Sequence, residues 1–330
     1  MSKYLSLTIL LTSLGLQIFP QSKSGITHKP DTSFTTYQAY LSTKKTHPDI
    51  KIVEELPMGS VVELRNIRYK RVGMELEDSL VLDAFLPNLP KKEKSIAVII
   101  IHGGGWRTGD RSQHYPLAQR LAKLGYVCFT PQYRLSTEAL YPAAVIDIKT
   151  AIQWVRFNAK NFYIDTNRIV VLGFSAGGEL AAFMGATNGM TEFEDKYSTT
   201  NTSSRVQAVV DIDGILSFIH PESGEGDDSK RISAATNWFG YPKKDNPELW
   251  KQASALTHVG KHSPPYLFLN SSVARMHAGR EDFIKVLDQH GIYSEVHEFE
   301  GAPHSFCLFD PWFEPTVKYI DGFLKKVFKN

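Results

Sequence analysis

Residues 95–101 read SIAVIII, continuously apolar from Ile96 to Ile101 and rich in β-branched side chains. Such a run lacks the polar alternation of a half-exposed strand and suits one covered on both faces, which requires helices on both sides of a mostly parallel sheet. The rest of the chain supplies that rhythm. Leu117, Leu121 and Leu124 mark a helix ended by Gly125, YVCFTPQYR reads as the next strand, and AAVIDIKTAIQWVRFNA as a long amphipathic helix. RIVVLGF, RVQAVVDID and PPYLFLN read as further strands, with a helix over 177–186 after the first. FIKVLDQHG, IYSEVHEF and PTVKYIDGFLKKVF then finish as helix, strand and helix. Ahead of SIAVIII, residues 32–45 suggest a short helix, and VVELRNIRY and LVLDAFLP alternate as an antiparallel pair. The fold class is therefore α/β, a doubly wound sheet, and 330 residues suffice for one large domain over 25–330.

Between 214 and 263 the rhythm breaks into HPESGEGDDSK and NWFGYPKKDNPELW. Structureless connections beyond about 12–15 residues are uncommon inside a compact domain, so this segment is expected to form a small cap insertion bordering a site.

Charge narrows the partners. Lys plus Arg (37) nearly balance Asp plus Glu (35), a composition that gives no broad field for nucleic acid or an anionic membrane surface. The N-terminus, MSKYLSLTILLTSLGLQIFPQSKSG, has the shape of a signal peptide over 1–24: Lys3, an apolar run from Leu5 to Phe19, then small polar residues. That run is shorter than the roughly 20 residues a bilayer needs, so the mature chain is expected to carry no membrane span and to be exported, periplasmic or extracellular. Export would permit Cys128 and Cys307 to pair, although Cys128 inside YVCFTP reads better as a buried free thiol.

Chemistry concentrates in three places. RIVVLGFSAGG carries Gly173-Phe174-Ser175-Ala176-Gly177, a G-x-S-x-G between a strand and a helix, where a sharp turn exposes the serine and its flanking glycines avoid backbone collisions. SIAVIII runs into His102-Gly103-Gly104-Gly105-Trp106, whose N–H groups at Gly104 or Gly105, with that of Ala176, fit an oxyanion hole. Serine needs a base in the chain order Ser, acid, His, and His304 in GAPHSF lies on a loop after the last strand. His277 is the rival base; His297 falls inside a strand.

In this order, HGGGW, GFSAGG and GAPHSF resemble the α/β-hydrolase carbohydrate esterases of the bifunctional acetylxylan and feruloyl esterase type, across Ile99 to Phe306. YPAAVIDIKTAIQWVR and ELWKQASALTHVGKHSPP look like the same group, while NSSVARMHAGRED and FTTYQAYLSTKKTHPDIKI are similar to a bacterial subgroup of pectin esterases. The resemblance implies an α/β-hydrolase fold and a serine esterase acting on plant cell-wall polysaccharide or oligosaccharide.

That group's usual pattern has an aspartate a few residues past PPYLFLN, where this chain has Ser271, Ser272, Val273 and Ala274. Any carboxylate reaching the histidine can orient it. Asp213, at the end of RVQAVVDID and near the carboxyl edge of the sheet, is the preferred candidate. Asp211 shares its strand face by the period-2 rule, and Glu281 and Asp282 read more simply as first-turn residues complementing a helix dipole.

The loop that lost an acid holds Arg275 and Arg280, which with Arg107 suit an anionic, uronate-containing substrate because guanidinium pairs bidentately with carboxylate. A pectic methyl or acetyl ester is the expected substrate. On neutral acetylxylan or feruloyl esters, Trp106 and Trp238 would instead serve as platforms. From another class, the chain is expected to be a glycan-binding module if the missing acid means an inactive hydrolase; the otherwise complete motifs oppose this. A prolyl oligopeptidase lacks room for its propeller, and a lipase would want an apolar lid. No H-E-x-x-H or paired C-x-x-C appears, so neither metal nor cofactor is implied.

Overall fold

In chain order, helix α1 (Thr36–Thr43) and the two-residue strand β1 (Lys51–Ile52) precede an antiparallel pair, β2 (Val62–Arg71) and β3 (Ser79–Leu86). From β4 (Ser95–Ile101) the chain alternates through α2 (Tyr115–Lys123), β5 (Val127–Pro131), α3 (Ala143–Phe157), β6 (Ile164–Phe174), α4 (Ala176–Ala186) and β7 (Ala208–Ile212). Two short helices, α5 (Ala234–Phe239) and α6 (Pro247–Gln252), fall before β8 (Tyr266–Asn270). Then come α7 (Arg280–Gln289), β9 (Ser294–Glu298), the short β10 (Phe309–Asp310) and α8 (Phe313–Phe328). This computed structural model describes residues 25–329 apart from 76–77, 89–92, 197, 199 and 201, so the expected signal peptide over 1–24 lies outside the described residues.

Eight strands form one sheet in the order β2-β3-β5-β4-β6-β7-β8-β9. Contacts are antiparallel from β2 to β5 and parallel from there to β9, which makes this the α/β-hydrolase fold. Every residue of β4 is buried. Its alternation divides SIAVIII between two cores: Ala97, Ile99 and Ile101 pack with α3 and α4, while Ile96, Val98 and Ile100 pack with α2 and α8. The continuous apolar run is thus two half-runs facing opposite ways.

β4 and β6 are neighbours, and the connection from β4 through α2 runs to β5 on one side while that from β6 through α4 runs to β7 on the other. This reversal opens a crevice at the carboxyl ends of the central strands, where open α/β sheets bind ligands. Residues 214–263 pack beside that crevice, anchored by Trp238 and Trp250, both fully buried. The strand pair β1–β10 fastens the N-terminal segment to the chain just after His304. Cys128 and Cys307 are free buried thiols, and burial pushes both well above the ordinary thiol value. No helix among the described residues is long and apolar enough to cross a membrane.

One buried charge matters for stability. Lys149 on α3 donates to Thr187 O (3.3 Å) and Ser204 Oγ (3.5 Å), with Glu194 Oε1 at 4.0 Å. Burial outweighs Glu194 and pushes this lysine down from 10.5 to about 8. Between those values the unfolded chain holds a proton that the folded chain has released, so the contribution of Lys149 to stability grows as pH rises through that window. In chemical denaturation from about pH 7 to 10.5, the wild type is expected to gain on Lys149→Met as pH rises; parallel curves would rule the buried titration out.

Candidate active site

Ser175 ends the turn between β6 and α4 with φ 57° and ψ −121°, a backbone conformation that L-residues avoid. Its N–H donates to Ile212 O (2.8 Å), which pins the turn to the neighbouring strand. Glycine at 173 is compulsory, since a Cβ there would sit 1.9 Å from Gly177 O.

His304 Nε2 lies 2.9 Å from Ser175 Oγ, and its Nδ1 lies 2.9 Å from Asp213 Oδ2. Asp213 is fully buried and stands just past β7 with φ 52°, its N–H donating to Leu269 O (3.0 Å). The Ser271 N–H donates to Asp213 Oδ1 (2.8 Å), and the Ser271 hydroxyl donates to Oδ2. The serine found where an acid was expected therefore supplies donors to the acid on the adjoining strand. Ser271 was not foreseen as a site residue; its only signal was a polar pair at a strand end.

The other acid candidates have other partners. β7 ends at Ile212, and the left-handed turn at Asp213 takes its side chain out of the strand alternation expected to align it with Asp211. Asp211 Oδ1 accepts from Gly214 N (2.7 Å), and burial holds this carboxyl well above the usual range. Glu281 pairs with Arg280, and Asp282 with Lys285. His277 Nε2 lies 3.3 Å from Ser271 O.

The glycine loop after β4 faces the same space. Gly104 has φ 129°, and a Cβ there would sit 1.9 Å from Thr108 O. Gly103 N–H donates to Gln113 Oε1 (2.7 Å), and His102 Nδ1–H donates to Gly103 O (2.9 Å). Burial pushes His102 down to about 4, so its ring is neutral near pH 7. Gly104, Gly105 and Ala176 line the cleft with Ser175 and His304. As the first residue of α4, Ala176 has no intrahelical acceptor for its N–H. Gln113, which holds the loop, was also unforeseen.

Two expectations, for Trp238 and Arg280, require correction, and a third, for Trp106, is narrowed. Trp106 is only 4% exposed; its indole N–H donates to Glu179 Oε2 (3.0 Å) and its ring stacks on Trp238 with centroids 4.9 Å apart. Trp238 is 0% exposed and offers no face to a sugar, whereas Trp106 does line the cleft, with only that small exposed part. Arg280 is 9% exposed and bonded to Asn270 Oδ1 (2.8 Å), Glu298 (2.8 Å) and Glu281 (2.7 Å), so it cannot reach a substrate in the cleft. Arg107 and Arg275 do line the cleft, Arg275 with its side chain 52% exposed and 3.9 Å from Glu225. Arg231, which sequence reasoning passed over, lines it as well.

This cleft holds about 930 Å³. One wall comes from α1 and the other from the segment between β7 and β8. Among the described residues, no group of three or more His, Cys, Asp or Glu is placed to hold a metal ion. The arrangement supplies a hydroxyl nucleophile, a base in contact with it, an acid behind the base, and N–H groups beside the serine: the parts needed for acyl transfer.

Burial holds Glu179 well above the ordinary carboxylate range, with the Trp106 N–H opposing and Asp211 adding to the shift. Trp106→Phe keeps a ring against Trp238 but leaves the Glu179 carboxyl without that donor. Chemical denaturation is expected to show a loss of about 1–3 kcal/mol, and an unchanged midpoint would contradict the tether.

Residues 82–275 match the family described as BD-FAE. The chain is similar to esterase LipC of Mycobacterium tuberculosis, 28% identical over 289 residues, covering 82% of this chain and 68% of that one. Esterase LipQ of the same organism is 30% identical over 228 residues, covering 67% of this chain and 53% of its own length. The chain thus spans about two thirds of the first relative and about half of the second. Among solved structures, a truncated carbohydrate esterase from gut microbiota superposes with a TM-score of 0.66 at 24% identity, over 82% of this chain and 100% of that one. An esterase of Thermogutta terrifontis gives 0.64 at 24% identity, over 82% and 96%.

Proposed function

The chain belongs to the BD-FAE family and is an esterase of the α/β-hydrolase fold; from that premise we propose that it hydrolyses esters of uronate-containing, pectic polysaccharide through an acyl-enzyme. The supporting observation is one chain of hydrogen bonds, Ser175 to His304 to Asp213, opening into a cleft lined by Arg107, Arg231 and Arg275.

Ser175 Oγ attacks the ester carbonyl carbon while its proton passes to His304 Nε2. Asp213 orients the ring through Nδ1 and stabilises the imidazolium. The oxyanion lies against the N–H of Ala176 and of Gly104 or Gly105. Collapse breaks the ester C–O bond, and the departing alcohol takes the proton from Nε2. Water then repeats the sequence, giving the carboxylic acid and free Ser175.

The arginines argue for substrate charge. Glu225 and Asp227 also line the cleft; Glu225 Oε2 accepts from Ala235 N (3.0 Å) while its Oε1 stands 3.9 Å from Arg275, and Asp227 accepts from Ser229 N (3.1 Å). Arg107 lines the cleft, and Arg275, half exposed and held to Glu225 only at 3.9 Å, keeps guanidinium N–H groups for a uronate carboxylate.

An NMR time course on pectin, acetylated xylan and a feruloylated oligosaccharide is expected to show ester signals lost from pectin. Ser175→Ala should leave every ester intact, and Asp213→Asn should lower kcat by about 10⁴. Arg107→Ala and Arg275→Ala should slow pectin more than xylan; equal loss on both would remove the uronate assignment. Pectic polysaccharide lies outside cells, in keeping with export directed by residues 1–24. Mass spectrometry of exported protein is expected to find an N-terminus between Gln21 and Gly25, and a retained Met1 would overturn export.

A further inference from the structure

The segment from Gly25 to Val53 contributes no strand to the main sheet, yet it is tied to both halves of the site. At the oxyanion loop, Phe34 N donates to Thr108 Oγ1 (2.9 Å) and Gly109 N donates to Asp31 O (3.2 Å). At the histidine loop, Thr43 Oγ1 lies 3.0 Å from Ser305 Oγ, and His47 Nε2–H donates to Gly301 O (3.0 Å). Between these two ties α1 forms a wall of the cleft, presenting Gln38, Ser42 and Thr43 above Phe34 and Ala39. Gln38 and Ser42 are exposed, and among the described residues neither side chain has a hydrogen-bond partner.

The side on which this wall stands follows from proton transfer. In acyl transfer by Ser175, the proton that His304 Nε2 receives is handed to the leaving oxygen, so the leaving alcohol must lie against the histidine loop and not across from it. That loop's neighbour is α1, bonded to the residue directly after His304. The opposite wall, from Ile215 to Asn237 with Arg275 and Met276, is left for the acyl half. With the Thr43 hydroxyl engaged by Ser305, the groups α1 offers are the Gln38 amide and the Ser42 hydroxyl, uncharged and able both to donate and to accept. These match the hydroxyls of a sugar ring and offer nothing to a methyl group.

We propose that α1 is the leaving-alcohol subsite and that it takes a hydroxyl-bearing glycosyl group, with Gln38 and Ser42 as specificity-determining residues. This rests on the esterase reading above and refines it. The ester cleaved is one in which the sugar hydroxyl leaves and a small acyl group, acetyl above all, passes to Ser175. The sugar's carboxylate then lies on the α1 side, where Arg107 adjoins Thr108 on the loop bonded to Phe34, and Arg275 on the acyl wall would meet a uronate only if the uronyl group itself were the acyl half. For a methyl uronate the sugar would be on the acyl side and methanol would meet α1, leaving Gln38 and Ser42 without a partner.

The test compares two acetate esters that form the same acetyl-enzyme: an acetylated oligogalacturonide and p-nitrophenyl acetate, whose leaving group carries no alcohol hydroxyl. Hydrolysis of p-nitrophenyl acetate by the wild type, lost in Ser175→Ala, establishes the esterase chemistry independently of this inference. The pair Gln38→Ala and Ser42→Ala, both at exposed positions, is expected to lower kcat/KM on the sugar acetate about tenfold, as for two neutral hydrogen bonds, and to change p-nitrophenyl acetate by less than about twofold. Conservative Gln38→Asn and Ser42→Thr should restore part of the sugar activity. Equal loss on both esters, no loss on either, or a wild type that removes methyl but not acetyl groups from pectin would each overturn the assignment.

Discussion

The buried carboxylate of Asp213 is the interaction on which the site depends. A fully buried carboxylate without donors is expensive, and this one is surrounded by them: His304 Nδ1, the Ser271 N–H and the Ser271 hydroxyl. Those donors come from the loops after β9 and β8, so one side chain after β7 gathers three strand ends into a single arrangement. Removing it would leave the imidazole without an acceptor and Ser271 without its purpose. The acid's position is thus fixed by the network that satisfies it, and the strand from which it starts is secondary. That is why an alanine at 274 does not imply an inactive enzyme.

Strain collects where this network operates. Ser175, Asp213 and Trp106 are three of the seven described non-glycine residues with positive φ, and each follows the carboxyl end of a central strand. Such conformations cost about 1–3 kcal/mol each and persist where surrounding contacts over-determine them. Here the contacts are visible: Ser175 N to Ile212 O, Asp213 N to Leu269 O, and the Trp106 indole between Glu179 and Trp238. Glu179 and Asp211, two buried acids behind the elbow, add to the local cost. The sheet below is rigid enough to bear it, since β4, β6, β7 and β8 are fully buried at these ends.

This difference between frame and site explains what was legible in the sequence. SIAVIII, YLFLN and the helix ahead of Gly125 announce themselves because periodicity is local and every residue in the run fits the same pattern. GFSAGG and HGGGW are legible for a related reason: a Cβ at Gly173 or Gly104 collides with backbone a few residues away. Arg280 was illegible because its exposure is decided by Asn270 and Glu298, on two other strands. The burial of Trp238 was illegible likewise, since only the fold stacks residue 106 on residue 238. The period-2 argument for Asp211 and Asp213 failed at one residue, where the chain left the strand.

The walls of the cleft stand outside that frame. One comes from ahead of the first strand of the main sheet and the other from the connection between β7 and β8, and neither supplies a strand to that sheet. Catalytic geometry and substrate choice are therefore carried by different parts of the chain, as expected where sites are grafted onto a shared fold. The two parts are not independent. Thr43 and His47 hold the loop that carries His304, so a change in the α1 wall that disturbed those bonds would alter the base as well as the subsite. Gln38 and Ser42 lie on the same helix, and the side-chain ties to that loop run through Thr43 and His47 and not through them; substrate preference can therefore vary at 38 and 42 while Thr43 keeps the histidine in place.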